Sequence, residues 1–293
     1  MKHEIAEISL AAYAAEHGVR QSMLKVLARS PAHLKEAIAH PPPSTPDMTL
    51  GTVLDMAVFD PAHVWDRCHI RPVEYVDAKG CKKPWHNGSN QCKAWIAKHQ
   101  DMPIITTSQF NAIILMRESI MKHPAAARAL SGGKISRAFF WKDQVTGLQC
   151  KAYPDLTNGN TIIDLKKCRD ASRAGFARAV ANFGYDVQAA WYLDGGAMLG
   201  EIAPDEGHFV FIVCEDTPPY AVAVWELEPQ SIGFGRQKYR RLLNLYLDCV
   251  TLDSWPAYSS NIEFISLPQW AKKAEYEAVL LEDSPPEPAL QLE

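Results

Sequence analysis

This 293-residue chain has no run of the ~18 uninterrupted apolar residues that a membrane-spanning helix needs, so no membrane partner is expected. It also lacks paired cysteines. The seven thiols, at 68, 81, 92, 150, 168, 214 and 249, are odd in number and contain no C-x-x-C. Such scatter fits a reduced, intracellular protein better than a disulfide framework. Cys68, His69, Cys81, His86 and Cys92 have the residue types of a zinc or iron–sulfur site, but their spacing matches no standard ligand pattern. There is no excess of positive charge either. A net charge of −4 excludes a uniformly basic coat protein, though local basic patches remain open. No internal repeat is visible. The N-terminal "MKHEIAEISLAAYAAEHGVRQ" has acids inside its apolar part and no secretory h-region, so a cytoplasmic location is expected.

What is present belongs to a globular protein: 47% hydrophobic and 10% aromatic residues, enough for a real core. One α/β domain is expected over residues 1–282, with a helical part over 1–60 and a disordered, proline-rich tail over 283–293. "QSMLKVLARSPAHLKEAIAH" reads as a helix interrupted at Ser30-Pro31, and "HPPPSTPD" as a surface connection. "MTLGTVLDMAVFDP" reads as a helix ended by Pro61, with Asp55 inside its apolar pattern. Residues 66–100 look like a long irregular excursion. A helix from about 107 to 130, broken near Pro124, precedes three strand candidates up to "TIIDLKK". Two helical segments broken at Gly184 follow, then buried strands "HFVFIVCED" and "YAVAVWELE", and a last helix "GRQKYRRLLNLYLDCV".

Positive charge is clustered. Residues 78–98 hold Lys79, Lys82, Lys83, Lys93 and Lys98 with two tryptophans and no acid. Residues 166–178 hold Lys166, Lys167, Arg169, Arg173 and Arg178, and "RQKYRR" holds Arg236, Lys238, Arg240 and Arg241. A solvated surface explains each cluster singly. Three of them in a net-acidic chain point to a polyanion.

The chemistry gathers in "CKAYPDLTNGNTIIDLKK". Asn158-Gly159 between two β-like runs is a strong hairpin signal. A two-residue loop there sets Thr157 opposite Asn160, Asp155 opposite Ile162 and Tyr153 opposite Asp164. Side chains alternate along a strand, so Asp155, Asp164 and Lys166 share one face. Asp155 and Asp164 then lie a diagonal ~7–8 Å apart, which suits two carboxylates holding one divalent cation. A lysine two residues on can neutralise charge gathering on a phosphorus centre. An exposed strand with an ordinary Asp–Lys pair is the alternative reading. On the next helix, Gln188 and Tyr192 lie four residues apart on one face, able to reach the strand ends or simply to pack there.

"CKAYPD", "IIDLKK" and "GYDVQAAWYLDG" together resemble the nuclease domain of the RecE-type exonuclease VIII family, in the PD-(D/E)XK nuclease superfamily. "QSMLKVLARSPAHLK", "LGTVLDMAVFDP", "WPAY" and "SLPQWA" are similar to further family elements, so the resemblance runs over about residues 20–275. It implies a restriction-endonuclease-like core, a central mixed sheet flanked by helices. It implies an exonuclease that degrades one strand of duplex DNA from the 5′ end, dependent on Mg²⁺ with Mn²⁺ as a substitute. A RecT-type single-strand annealing partner would take the 3′ overhang, and the enzyme would be a ring-like homo-oligomer on double-stranded DNA ends in phage-type recombination.

Carried over by matching position, Asp155 and Asp164 bind metal, with the Leu165 carbonyl as a further ligand. Lys166 is catalytic, and Gln188 and Tyr192 support the site or touch DNA. Three positions depart from the family pattern: Asp55 stands where a metal-binding His is usual, Ser136 where a Glu is usual, and Tyr153 where an Arg is usual. Aspartate can replace histidine as a hard-metal ligand, so Asp55 is a candidate ligand. Lys79, Lys82, Lys83, Lys167 and Arg169 are candidate DNA contacts. Two other outcomes stay open: a PD-(D/E)XK nuclease of other polarity or endonucleolytic action, and a catalytically weak DNA-end-binding module.

Overall fold

The structure is a computed structural model that describes residues 2–273; the expected tail over 283–293 lies outside the described residues. The chain divides into two compact units, one up to Trp255 and one from Pro256 onward. No described helix is long and apolar enough to cross a membrane.

Four sheets are described in the first unit, two of them of three strands or more. The larger has five strands, in the order Val222–Glu226, His208–Glu215, Thr161–Cys168, Leu156–Asn158, Lys134–Ile135. It is mixed: Thr161–Cys168 runs parallel to His208–Glu215, and the other pairings are antiparallel. The smaller sheet joins Glu4–Ala6, Ala138–Lys142 and Gln149–Ala152. This is the α/β arrangement with a central mixed sheet that the sequence leads one to expect.

Thr161–Cys168 is the central strand, and its alternation organises the core. Ile162 faces one apolar cluster, with Trp191, Phe209, Phe211 and Tyr239. Ile163 and Leu165 face a second, with Val53, Leu54, Ile113 and Ile212. The helices Pro46–Phe59 and Thr107–Lys122 cover the second cluster, while Tyr185–Met198 and Pro229–Leu252 cover the first.

Local signals place the helix ends. Ser30 caps Pro31–Ala39 by accepting from the His33 N–H, which is why the first helical stretch breaks there. Thr106 and Gln109 form a reciprocal capping box on Thr107–Lys122. Pro124 starts a separate helix, Pro124–Leu130. Gly184, at φ +67°, is both the end of Arg173–Phe183 and the start of Tyr185–Met198, a left-handed turn that glycine makes without steric penalty.

Two expectations are corrected. Residues 66–100 are not irregular: they contain the strands His69–Ile70, Glu74–Val76 and Lys82–Pro84 and the helix Asn90–Lys98. The strands have two or three residues, too few for a readable period, and aromatic rings hold the excursion together. Trp95 stacks on His99 at 4.0 Å and meets Trp85 edge-on at 5.5 Å. The hairpin register also differs. Thr157 pairs with Ile162 and Asn158 with Thr161, so the two-residue loop is Gly159-Asn160. Gly159 takes φ +56° at the first loop position, where a II′ hairpin turn requires positive φ. The shift is two residues, so every side chain keeps its face.

Candidate active site

Asp164 and Lys166 lie on the central strand and Asp155 on the segment before Leu156–Asn158. The observed register, extended outward, sets Asp155 directly opposite Asp164 instead of diagonal to it. The ladder stops one step short of that pair. Pro154 cannot donate to it, and the Asp155 side chain takes over: its Oδ2 accepts the Leu165 N–H at 2.9 Å. The Asp155 carbonyl accepts the Ser136 N–H at 2.8 Å. Asp155 is therefore a sheet member whose side chain stands in for a strand.

Asp164 is buried on the face covered by Tyr185–Met198. Gln188 donates to its Oδ1 at 2.7 Å, and Lys166 pairs with its Oδ2. Oδ2 is buried and has that ion pair with no further hydrogen-bond partner. Tyr192 is buried beside Gln188, one step further back. Leu165 joins the site through its N–H.

Asp55 comes from Pro46–Phe59. No hydrogen bond or ion pair to its carboxylate is seen among the described residues, yet it feels the others strongly. Burial, then Asp155 and Asp164, push its pKa well above the carboxylate range, with Lys166 opposing. Burial and Asp164 raise Asp155 to about 7, against the pull of Lys166 and the Leu165 N–H. Burial alone would lower the pKa of Lys166, but Asp164, Asp155 and Tyr185 outweigh it, so its ammonium stays charged. Asp55 and Asp155, raised by burial and by their carboxylate neighbours around one lysine, are short of positive charge.

Hard oxygen donors, one of them a buried oxygen answered only by a lysine, fit a divalent cation such as Mg²⁺. Among the described residues no three His, Cys, Asp or Glu side chains already stand as a ligand cluster. Lys166 and the Leu165 N–H engage the oxygens that would turn to the cation. The cysteine–histidine grouping near residue 68 forms no such cluster either, and all seven cysteines are free thiols.

Two grooves open beside these residues. One, of about 870 Å³, is lined by Asp55, Asp155, Tyr153, Ser136, Tyr192, Arg20 and Arg67 among others. The other, of about 620 Å³, is lined by Tyr185, Phe183, Lys167, Arg169 and Arg178 among others. Ser136, at the usual Glu position, has φ +49° and lies on the wall of the first groove. Tyr153, at the usual Arg position, donates its hydroxyl to the Ile8 carbonyl at 2.9 Å.

The basic clusters sort differently from one another. Lys79, Lys82 and Lys83 are exposed on the hairpin of the excursion, with Lys83 3.4 Å from Asp77. Arg169 is exposed in the second groove. Lys167, expected to contact DNA, is instead committed internally: its ammonium lies 2.6 Å from Asp47 and 3.2 Å from Asp216. In "RQKYRR", Arg236 pairs with Asp194, Lys238 with Asp186 and Arg240 with Asp143, so most of that cluster is half exposed but already paired within the chain. These acids lie tens of residues away, which spacing cannot reveal. Sequence reasoning also missed Tyr185, whose ring lies 5.2 Å from the Lys166 ammonium. Its position three residues before Gln188, on the same helical face, was the available signal.

A family model described as a PDDEXK-like domain of unknown function (DUF3799) matches residues 21–268. No curated protein matches. Among solved structures, that of a candidate exonuclease from Eubacterium rectale aligns over 92% of this chain and 98% of its own, at 12% identity and TM-score 0.58. Identity that low speaks to the fold alone. The crystal structure of SSO0001 covers 47% of this chain and 63% of its own, at 16% identity and a TM-score of 0.27.

Proposed function

Since the chain belongs to the PDDEXK-like family DUF3799, we propose that it is a divalent-metal-dependent exonuclease acting on linear double-stranded DNA. The observation that carries this is the meeting of Asp155, Asp164 and Asp55 around Lys166, between two grooves. The candidate exonuclease with the same fold supports the exonucleolytic reading. A cation held by the three aspartates would polarise a phosphodiester and lower the pKa of a bound water.

The remaining work falls to the chain itself. Gln188 fixes Asp164 by its Oδ1 and leaves Oδ2 for a cation or for Lys166. With a cation bound, Lys166 would be released from its carboxylate towards the phosphate that accumulates charge, with its ammonium still charged. Tyr185 holds that ammonium by its ring face while it has no carboxylate. Mg²⁺ is the proposed ion, with Mn²⁺ as a substitute. The RecE-type resemblance further suggests 5′→3′ polarity, a 3′ overhang passed to a RecT-type annealing partner in recombination, and a ring-like homo-oligomer.

Incubating linear and circular duplex with Mg²⁺ tests this. Loss of linear DNA alone is expected, and labels at each end should show shortening from 5′ termini. Loss of both forms indicates an endonuclease, and a mobility shift without loss indicates an end-binding module. Lys166→Ala should keep DNA binding and lose about 10²–10³ in turnover. Near-normal turnover in that variant removes Lys166 from the chemistry.

A further inference from the structure

Lys25 belongs to Gln21–Leu27, a helix that no strand of the site touches in sequence. Its ammonium lies 5.1 Å from the centroid of the Phe183 ring. Lys166 sits in the same way, 5.2 Å from the Tyr185 ring. The two rings are 5.7 Å apart, inclined at 37°. Gly184 makes this possible: its left-handed turn sets the last ring of one helix beside the first ring of the next. The result is two lysines on two adjacent aromatic faces.

The lysines differ in what answers their charge. Lys166 faces Asp164, and Lys167 faces Asp47 and Asp216. Among the described residues no carboxylate meets Lys25, and its contact is the ring alone. Burial first and then the charge of Lys166 lower its pKa. Phe183 is itself half exposed, at 51%, and lines the second groove with Tyr185. The two rings on which these lysines sit both line that groove, and among the described residues only one of the two ammonium groups has an anion.

We propose that Lys25, seated on Phe183, is a second phosphate-binding group of this site. It takes the phosphodiester next to the one that Lys166 faces, on the same strand. This rests on the nuclease reading and deepens it: the substrate is recognised as a chain of phosphates, two at a time. Phe183 sets the position of the ammonium, and Lys25 takes no part in bond breaking.

The test measures binding of a short duplex with Ca²⁺ in place of Mg²⁺ over a series of salt concentrations. Lys25→Gln should bind several-fold more weakly, with the slope of log affinity against log salt shallower by about one unit. Lys25→Arg should restore both. In steady state the loss in Lys25→Gln should fall mainly on KM, in contrast to the loss of kcat in Lys166→Ala. Lys122→Gln, an exposed lysine paired with Glu118 on its own helix, should leave the slope as it is. A parental slope and affinity in Lys25→Gln, or a fall in kcat at unchanged KM, overturns the proposal. If the parent protein neither cuts nor binds DNA, the nuclease reading itself falls.

Discussion

Asp155 and Asp55 are held in the folded chain with more affinity for protons than free carboxylates have. An acid whose folded-state pKa is raised keeps its proton in the folded state where the unfolded chain has lost it. For Asp155 that window runs from about 4 to about 7. Stability of the metal-free protein should therefore fall as pH rises through it, and a series of thermal melts in chelator would show this. Asp155→Asn keeps an oxygen for the Leu165 N–H and should flatten that fall, leaving the part due to Asp55. A slope unchanged in Asp155→Asn would mean that the proton is held elsewhere. The same excess of negative charge predicts the response to metal. Asp55→Ala should weaken Mg²⁺ binding and activity together, with excess metal giving partial rescue. Asp55→His should retain more activity with Mn²⁺ than with Mg²⁺, because imidazole suits the harder ion poorly. A metal titration of Asp55→Ala that overlays the parent's would return Asp55 to the role of a helix residue.

The helix Tyr185–Met198 carries Gln188, Tyr192 and Tyr185, and its position is set by Pro229–Leu252. The closest approach is at Gly235, where an added Cβ would lie 2.0 Å from the Asp186 carbonyl oxygen. Gly235→Ala must push the two helices apart, at about 1–3 kcal/mol for overpacking, so a melting curve should shift down by several degrees. Gly233 on the same helix meets nothing within 4 Å and is the matched control.

At this scale much was legible in the sequence. Proline and glycine marked the breaks at Pro31, Pro124 and Gly184, and the D-x-K alternation placed Asp164 and Lys166 on one face of the central strand. The hairpin register was misplaced by two residues because Asn158-Gly159 and Gly159-Asn160 both make plausible turns. An even shift leaves the faces intact, so the candidate site survived the error. What was not legible is long-range pairing: Lys167 looks like a surface cation until Asp47 and Asp216 are brought to it by the fold.

For the molecule as a whole, the second unit poses a solvation problem. Ile262, Phe264 and Ile265 are essentially fully exposed, and Leu267 and Trp270 largely so. A row of this kind is costly in water and marks a surface made for protein contact. The proposed homo-oligomer gives it a partner. Sedimentation of Phe264→Ser and Ile265→Ser should show smaller species than the parent at equal concentration. Unchanged sedimentation would assign the row to another partner. Both side chains are exposed among the described residues, and a melting curve that matches the parent's would separate a change in size from misfolding.

One further feature turns the molecule into its own reporter. Of the seven thiols, Cys81 alone is exposed, while burial raises the pKa of half-covered Cys168 to about 11 and slows its reaction. Cys81 sits between Lys79 and Lys82 on the hairpin of the excursion. A single maleimide dye would therefore attach there without any cysteine being engineered in or out. Its brightness on adding duplex would show directly whether that lysine-bearing hairpin meets DNA.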